Sequence, residues 1–148
     1  MCVRRRVQRL AAAGVVALTC TTVAAFEPQT NYMLQCMGCH TPDGSGEPGH
    51  VPSIRETLAP FARLAAGRRY ILQVPGVAQS RLSDADLAML LNWMMRNLAQ
   101  DSHPQPAPFT AAEVARYRRT PLLQVNATRA RLLEEVRRSS EPPHDRAH

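Results

Sequence analysis

Residues 31–46 read NYMLQCMGCHTPDGSG. Within this stretch Cys36, Cys39 and His40 spell C-x-x-C-H, and the only other cysteines of the chain, Cys2 and Cys20, fall in its first 25 residues. Three chemistries use a C-x-x-C pair. A structural zinc site takes four ligands, whereas the chain beyond residue 25 offers two thiols and five scattered histidines. A thioredoxin-like dithiol sits between a strand and a helix. Here the pair follows QTNYMLQ and runs into the turn-rich TPDGSGEPG. The third chemistry is covalent haem attachment, with thioether bonds to both cysteines and the next residue as iron ligand. Only this third use requires a histidine directly after the second cysteine, and His40 stands there.

Moving outward to the N-terminus, MCVRRRVQRL is basic, LAAAGVVALTCTTV is apolar, and VAAF offers a small-residue cleavage site after Ala25. This is the pattern of a secretory signal peptide, which places the mature protein outside the cytoplasm, in the periplasm. The apolar run is short of the roughly 20 residues of a membrane span, so contact with a membrane is expected only if the segment stays uncleaved. ALTC, ending at Cys20, makes a poor lipobox. The whole chain of 148 residues carries a formal charge of +6. Arg4, Arg5, Arg6 and Arg9 leave with the signal, so 14 of 18 arginines remain against 12 acids and the charge falls to +2. The chain has no lysine and no basic stretch interleaved with aromatics, so nucleic-acid binding is set aside.

Toward the C-terminus the pattern is helical. In LSDADLAMLLNWM, residues 82–94, Ser83 is a good N-cap and Asp84 and Asp86 suit a first turn. Leu87, Leu90, Leu91, Met94 and Leu98 recur at helical spacing on one face, with Met89 and Met95 to its side. Residues 53–80 predict one or two short helices, broken at Gly67 and at Pro75-Gly76. Phe61, Leu64, Tyr70, Ile71 and Leu72 read as core. Arg68 and Arg69 read as solvated side chains, with pairing to a haem propionate as the alternative.

The surroundings of the pentapeptide resemble the class I c-type cytochrome family over residues 28–98. Tyr32 matches an aromatic four residues before the first cysteine, DGSG at 43–46 matches a D-G-x-G loop, and VPSI places Pro52 twelve residues after His40. Trp93, in the helix at 82–94, matches an aromatic that crosses the N-terminal helix. The resemblance implies an all-α fold around one covalent haem c. It implies that Cys36, Cys39, His40, Pro52 and Trp93 bind the cofactor, that His40 ligates iron, and that the Pro52 carbonyl accepts the imidazole Nδ1 hydrogen. It also implies a sixth ligand from a methionine in the loop before the last helix, and here the chain departs. That loop, LQVPGVAQSRLS, has neither Met nor His. The other donors are Met33, Met37, His50, Met89, Met94, Met95 and His103; Met94, on the apolar face, is the preferred metal ligand, and an empty sixth position is the alternative.

Residues 99–109, AQDSHPQPAPF, read as a polar Pro-rich linker, and TAAE at 110–113 as a capping box opening a short helix that Pro121 ends. VNATRARLLEEVRR reads as a second helix with Val125, Leu132, Leu133 and Val136 as apolar contacts, and SSEPPHDRAH as disordered. The expected layout is a signal at 1–25, a haem domain at 26–98 and an extension at 99–148 that wraps the domain or docks a partner. The function this implies is single-electron transfer between a periplasmic dehydrogenase and a downstream cytochrome or oxidase, with no catalytic residues. Two rivals stand beside it. One is an open-site haem protein, binding or sensing a gas or acting as a weak peroxidase; the other is a cytochrome subunit of a larger oxidoreductase.

Overall fold

The computed structural model describes residues 26–99, 104–120 and 122–140. The expected signal at 1–25, together with His103, Pro121 and residues 141–148, lies outside the described residues. The chain is mostly helical, as expected, and no strand occurs among the described residues; Glu47 and Val51 form an isolated antiparallel bridge.

Helix α1 (Pro28–Gln35) opens on a proline, whose missing N–H costs nothing at that position. Cys36 separates it from α2 (Met37–His40), a single turn carrying the motif. The best-specified helix is α6 (Asp84–Asn97). The Ser83 hydroxyl accepts the Asp86 N–H at 3.1 Å, and Asp84 and Asp86 sit at the positive end of the helix dipole. Its buried side comprises Leu87, Ala88, Leu90, Leu91, Met94 and Met95. Met95 is therefore core rather than lateral. Both α1 and α7 (Ala111–Tyr117) pack on α6, which widens its buried stripe beyond one face. Where α1 crosses α6, the rings of Tyr32 and Trp93 lie 5.7 Å apart at 40°.

Between them run α3 (Ile54–Ala62), α4 (Ala65–Gln73) and α5 (Pro75–Ala78). The expected break at Pro75 is present. Val74 is extended, as a residue before proline prefers, and Pro75 opens α5. The expected break at Gly67 is not. The chain turns instead at Arg63 and Leu64, and Gly67 lies inside α4, where a Cβ would overlap the Phe61 carbonyl oxygen. Glycine costs a helix interior about 1 kcal/mol; here it permits the close approach of α4 to the end of α3.

The tail belongs to the same core. Phe109, Val114 and Leu132 are buried in one cluster with Tyr32, Phe61, Leu72 and Leu91. Residues 104–109 of the expected linker form a strap: the Asn92 amide donates to the Phe109 carbonyl at 2.9 Å and accepts its N–H at 2.8 Å. Burying the Phe109 ring contributes about 1.5–3 kcal/mol. Arg68 is not solvated. Its guanidinium grips both carboxylate oxygens of Glu113 at 2.7 and 2.6 Å, donates to the Ala107 carbonyl at 2.7 Å, and lies 4.1 Å over the Phe109 ring. That commitment removes it as a propionate partner. Thr110 caps α7 as expected by accepting the Glu113 N–H at 3.1 Å. Helix α8 (Val125–Ser140) buries Leu132 but leaves Leu133 38% exposed, and it takes in Ser139 and Ser140, so the end expected to be disordered from Ser139 is helical as far as Ser140. Arginine side chains and serines continue a helix readily once Leu132 anchors it on α4 and α3.

Candidate functional site

The motif turn forms one wall of a cleft of about 310 Å³ lined there by Cys36, Cys39 and His40. The other walls are apolar, with Leu58 and Phe61 from α3, Tyr70 and Ile71 from α4, and Leu91 and Met94 from α6. The polar loop and the apolar helices thus meet at a single place.

His40 is held by a bond to Pro52. Its Nδ1 lies 3.1 Å from the Pro52 carbonyl oxygen. A carbonyl only accepts, so Nδ1 carries the hydrogen and Nε2 keeps a free lone pair. Burial pushes the imidazole pKa below its ordinary value, against the opposing pull of the Pro52 bond, so the ring is neutral at pH 7. The carbonyl is positioned in turn by Gly46. This residue has φ +71°, donates its N–H to the His40 carbonyl at 3.1 Å, and leaves no room for a Cβ against the Val51 and Pro52 carbonyl oxygens.

The residue after His40 is under backbone strain. Thr41 has φ 64° and ψ 160°, a region that β-branched residues avoid at a cost of about 1–3 kcal/mol. Its carbonyl accepts the Tyr32 hydroxyl at 2.6 Å, and its own hydroxyl donates to Asp43 at 2.9 Å. Tyr32 is buried, and desolvation, aided by Cys36 and Asp43, pushes its phenol up to about 12, so it remains a donor. Arg55 pairs with Asp43 at 2.9 Å and ties this loop to α3.

The two thiols are free, Cys36 half-buried and Cys39 exposed. Burial, with Cys39 beside it, pushes the Cys36 thiol up to about 11. A nucleophilic thiol has the opposite property, a thiolate stabilised near neutral pH. Among the described residues no group of three or more His, Cys, Asp and Glu side chains gathers to hold a metal ion.

Of the residues singled out in the sequence, the structure brings Cys36, Cys39, His40, Pro52 and Met94 to this cleft. Trp93 is not in its lining; it packs on Tyr32 and so bears on the turn after His40 at second hand. Among the other donors, Met33 and Met89 are 52% and 47% exposed, Met95 is buried outside the cleft, and His50 is exposed beside Glu47. Sequence reasoning missed Arg129 of α8, which also lines the cleft, and read Val125 as an apolar contact without placing it there. Their i, i+4 spacing was the available signal. Nothing in the sequence signalled the strain at Thr41. No protein-family model, no curated protein and no solved structure matches this chain.

Proposed function

We propose that this protein is an exported mono-haem c-type cytochrome that carries single electrons. The observation that carries the reading is the convergence of Cys36, Cys39 and an Nδ1-tethered His40 on one wall of an apolar cleft. Haem c would supply an iron that alternates between ferrous and ferric states. Cys36 and Cys39 would hold it through thioethers. His40 would present Nε2 to the metal, with the Pro52 carbonyl fixing the ring orientation and raising its basicity. The apolar walls would cover part of the haem and lower the dielectric on that side. The volume lies at the small end for ligand sites, so the cleft as it stands would cover only part of the ring. Met94 is the sixth-ligand candidate, because it is the only methionine lining the cleft among the described residues.

The periplasm is the expected location, because covalent haem attachment and the N-terminal pattern agree with one another. A periplasmic dehydrogenase as donor and a cytochrome or oxidase as acceptor fit a small carrier. If Met94 does not ligate, the open-site reading takes its place, since His50, Met33 and Met89 all lie away from the cleft. The test is expression alongside a cytochrome c maturation system. The wild-type chain should give a dithionite-reducible haem spectrum that survives denaturation, and a Cys36→Ala, Cys39→Ala chain should lose its haem on denaturation. An identical spectrum from both chains after denaturation would overturn the reading.

A further inference from the structure

Helix α8 carries Arg129 to the junction of two cavities. One is the apolar cleft containing Cys36, His40 and Met94; the other is a polar crevice formed by the 45–53 loop and α8, with His50, Ser53 and Glu56. Arg129 is half-buried there, and it makes no ion pair among the described residues. The comparison with its neighbours is informative. Arg68, Arg118 and Arg55 each face a carboxylate at 2.6, 3.2 and 2.9 Å. Burial pushes the Tyr70 phenol up, and the Arg129 charge opposes that in part without pairing with it. Glu56 lines the same crevice without pairing with it. A guanidinium withdrawn from water without a counter-ion is costly, and the mouth of the cleft is where a ligand's anionic edge would lie.

We propose that Arg129 receives a carboxylate of the ligand held in the cleft, a haem propionate, and that the C-terminal extension is thereby part of the cofactor site. This rests on the haem reading above and extends it to a segment outside residues 28–98, where the sequence resemblance ends. Arginine is suited to the role, because its planar fork takes a carboxylate through two parallel N–H bonds. Val125, one turn earlier on the same face, adds an apolar contact to the same wall. A helix with Leu132 as its one buried residue thus gains a second attachment when the ligand is present.

The experiment compares ferric haem with its dimethyl ester, in which both carboxylates are blocked. Each is titrated into the full-length apoprotein expressed without maturation. Wild type should bind haem roughly tenfold or more tightly than the ester, as expected for one charge-assisted contact. Arg129→Gln should bring that ratio to about one, and Arg129→Lys should keep part of the preference. A wild-type protein that binds both porphyrins equally, or an Arg129→Gln chain that discriminates as wild type does, overturns the inference and leaves the haem reading standing. Loss of haem and ester alike in Arg129→Gln would assign a packing role and also overturn it. Failure of wild type to bind either porphyrin would overturn the inference, and the maturation experiment above decides the haem reading separately.

Discussion

Gly46→Ala tests the physical basis of the His40 tether. Gly46 has φ +71°, a backbone region that costs an L-residue about 1–2 kcal/mol. An added Cβ would also overlap the Val51 carbonyl oxygen and come within 2.8 Å of that of Pro52. Both neighbours are backbone, so neither can swing aside as a side-chain tip would. Displacing the Pro52 carbonyl loses the bond to His40, a further net 0.5–1.5 kcal/mol or about that. The expected total is about 2–3 kcal/mol, which in urea lowers the unfolding midpoint of the apoprotein by about 1–2 M. Gly38→Ala is the control. Gly38 sits in α2 with nothing within 4 Å of an added Cβ, and alanine there should be neutral or gain about 0.5–1 kcal/mol. Nitrogen NMR of the imidazole reads the same event at the site, since Nδ1 should be the protonated nitrogen in wild type and lose that preference in Gly46→Ala. Equal midpoints for wild type and Gly46→Ala, with an unchanged His40 tautomer, would refute the reasoning.

The strap gives a second expectation: Arg68→Ala leaves Glu113 and the Ala107 carbonyl without their shared donor and should cost about 1–3 kcal/mol, read by thermal unfolding. An unchanged melting temperature would mean that Asn92 and the buried Phe109, Val114 and Leu132 hold the tail without Arg68. The Ser45 hydroxyl and N–H, the Thr41 hydroxyl and Arg55 hold the Asp43 carboxyl well below the usual carboxylate range. Its stabilising contribution is therefore complete above the ordinary value of 3.8 and fades as pH falls toward the folded one. The stability difference between wild type and Asp43→Asn should be present at neutral pH and close on acidification below about pH 4, and a gap independent of pH would contradict this. Met94→Leu keeps volume and apolarity at a cost under about 1.5 kcal/mol. In the haem-loaded protein it should give a high-spin ferric spectrum and rapid carbon monoxide binding by the ferrous form; an unchanged spectrum would reduce Met94 to packing.

The parts of this molecule legible in the sequence were those with local causes. Ser83, Asp84 and Asp86 announce the start of α6, and the leucine spacing behind them announces its buried side. The twelve-residue interval from His40 to Pro52 closes as the sequence resemblance implied, at 3.1 Å. What stayed hidden depends on packing between distant segments. Gly67 looks like a helix breaker until the Phe61 carbonyl is seen against it. The Pro-rich 104–109 stretch looks like a linker because the groups that pin it, Asn92 and Arg68, lie 17 and 39 residues away in sequence. Met95 is buried for a similar reason, since α6 is covered from a side that its own pattern does not reveal. Arg129 reaches the cleft only because α8 folds back over α4 and α3.

The central claim is that Cys36 and Cys39 are haem attachment points. It is tested most directly by the intact mass of the matured, exported protein after acid–acetone extraction, which strips haem that is not covalently bound. The expected mass is that of the chain from Phe26 onward plus one haem, with fragment ions placing the added mass on the peptide that contains both cysteines. A chain that emerges from a competent maturation system with the mass of unmodified polypeptide and two free thiols would contradict it.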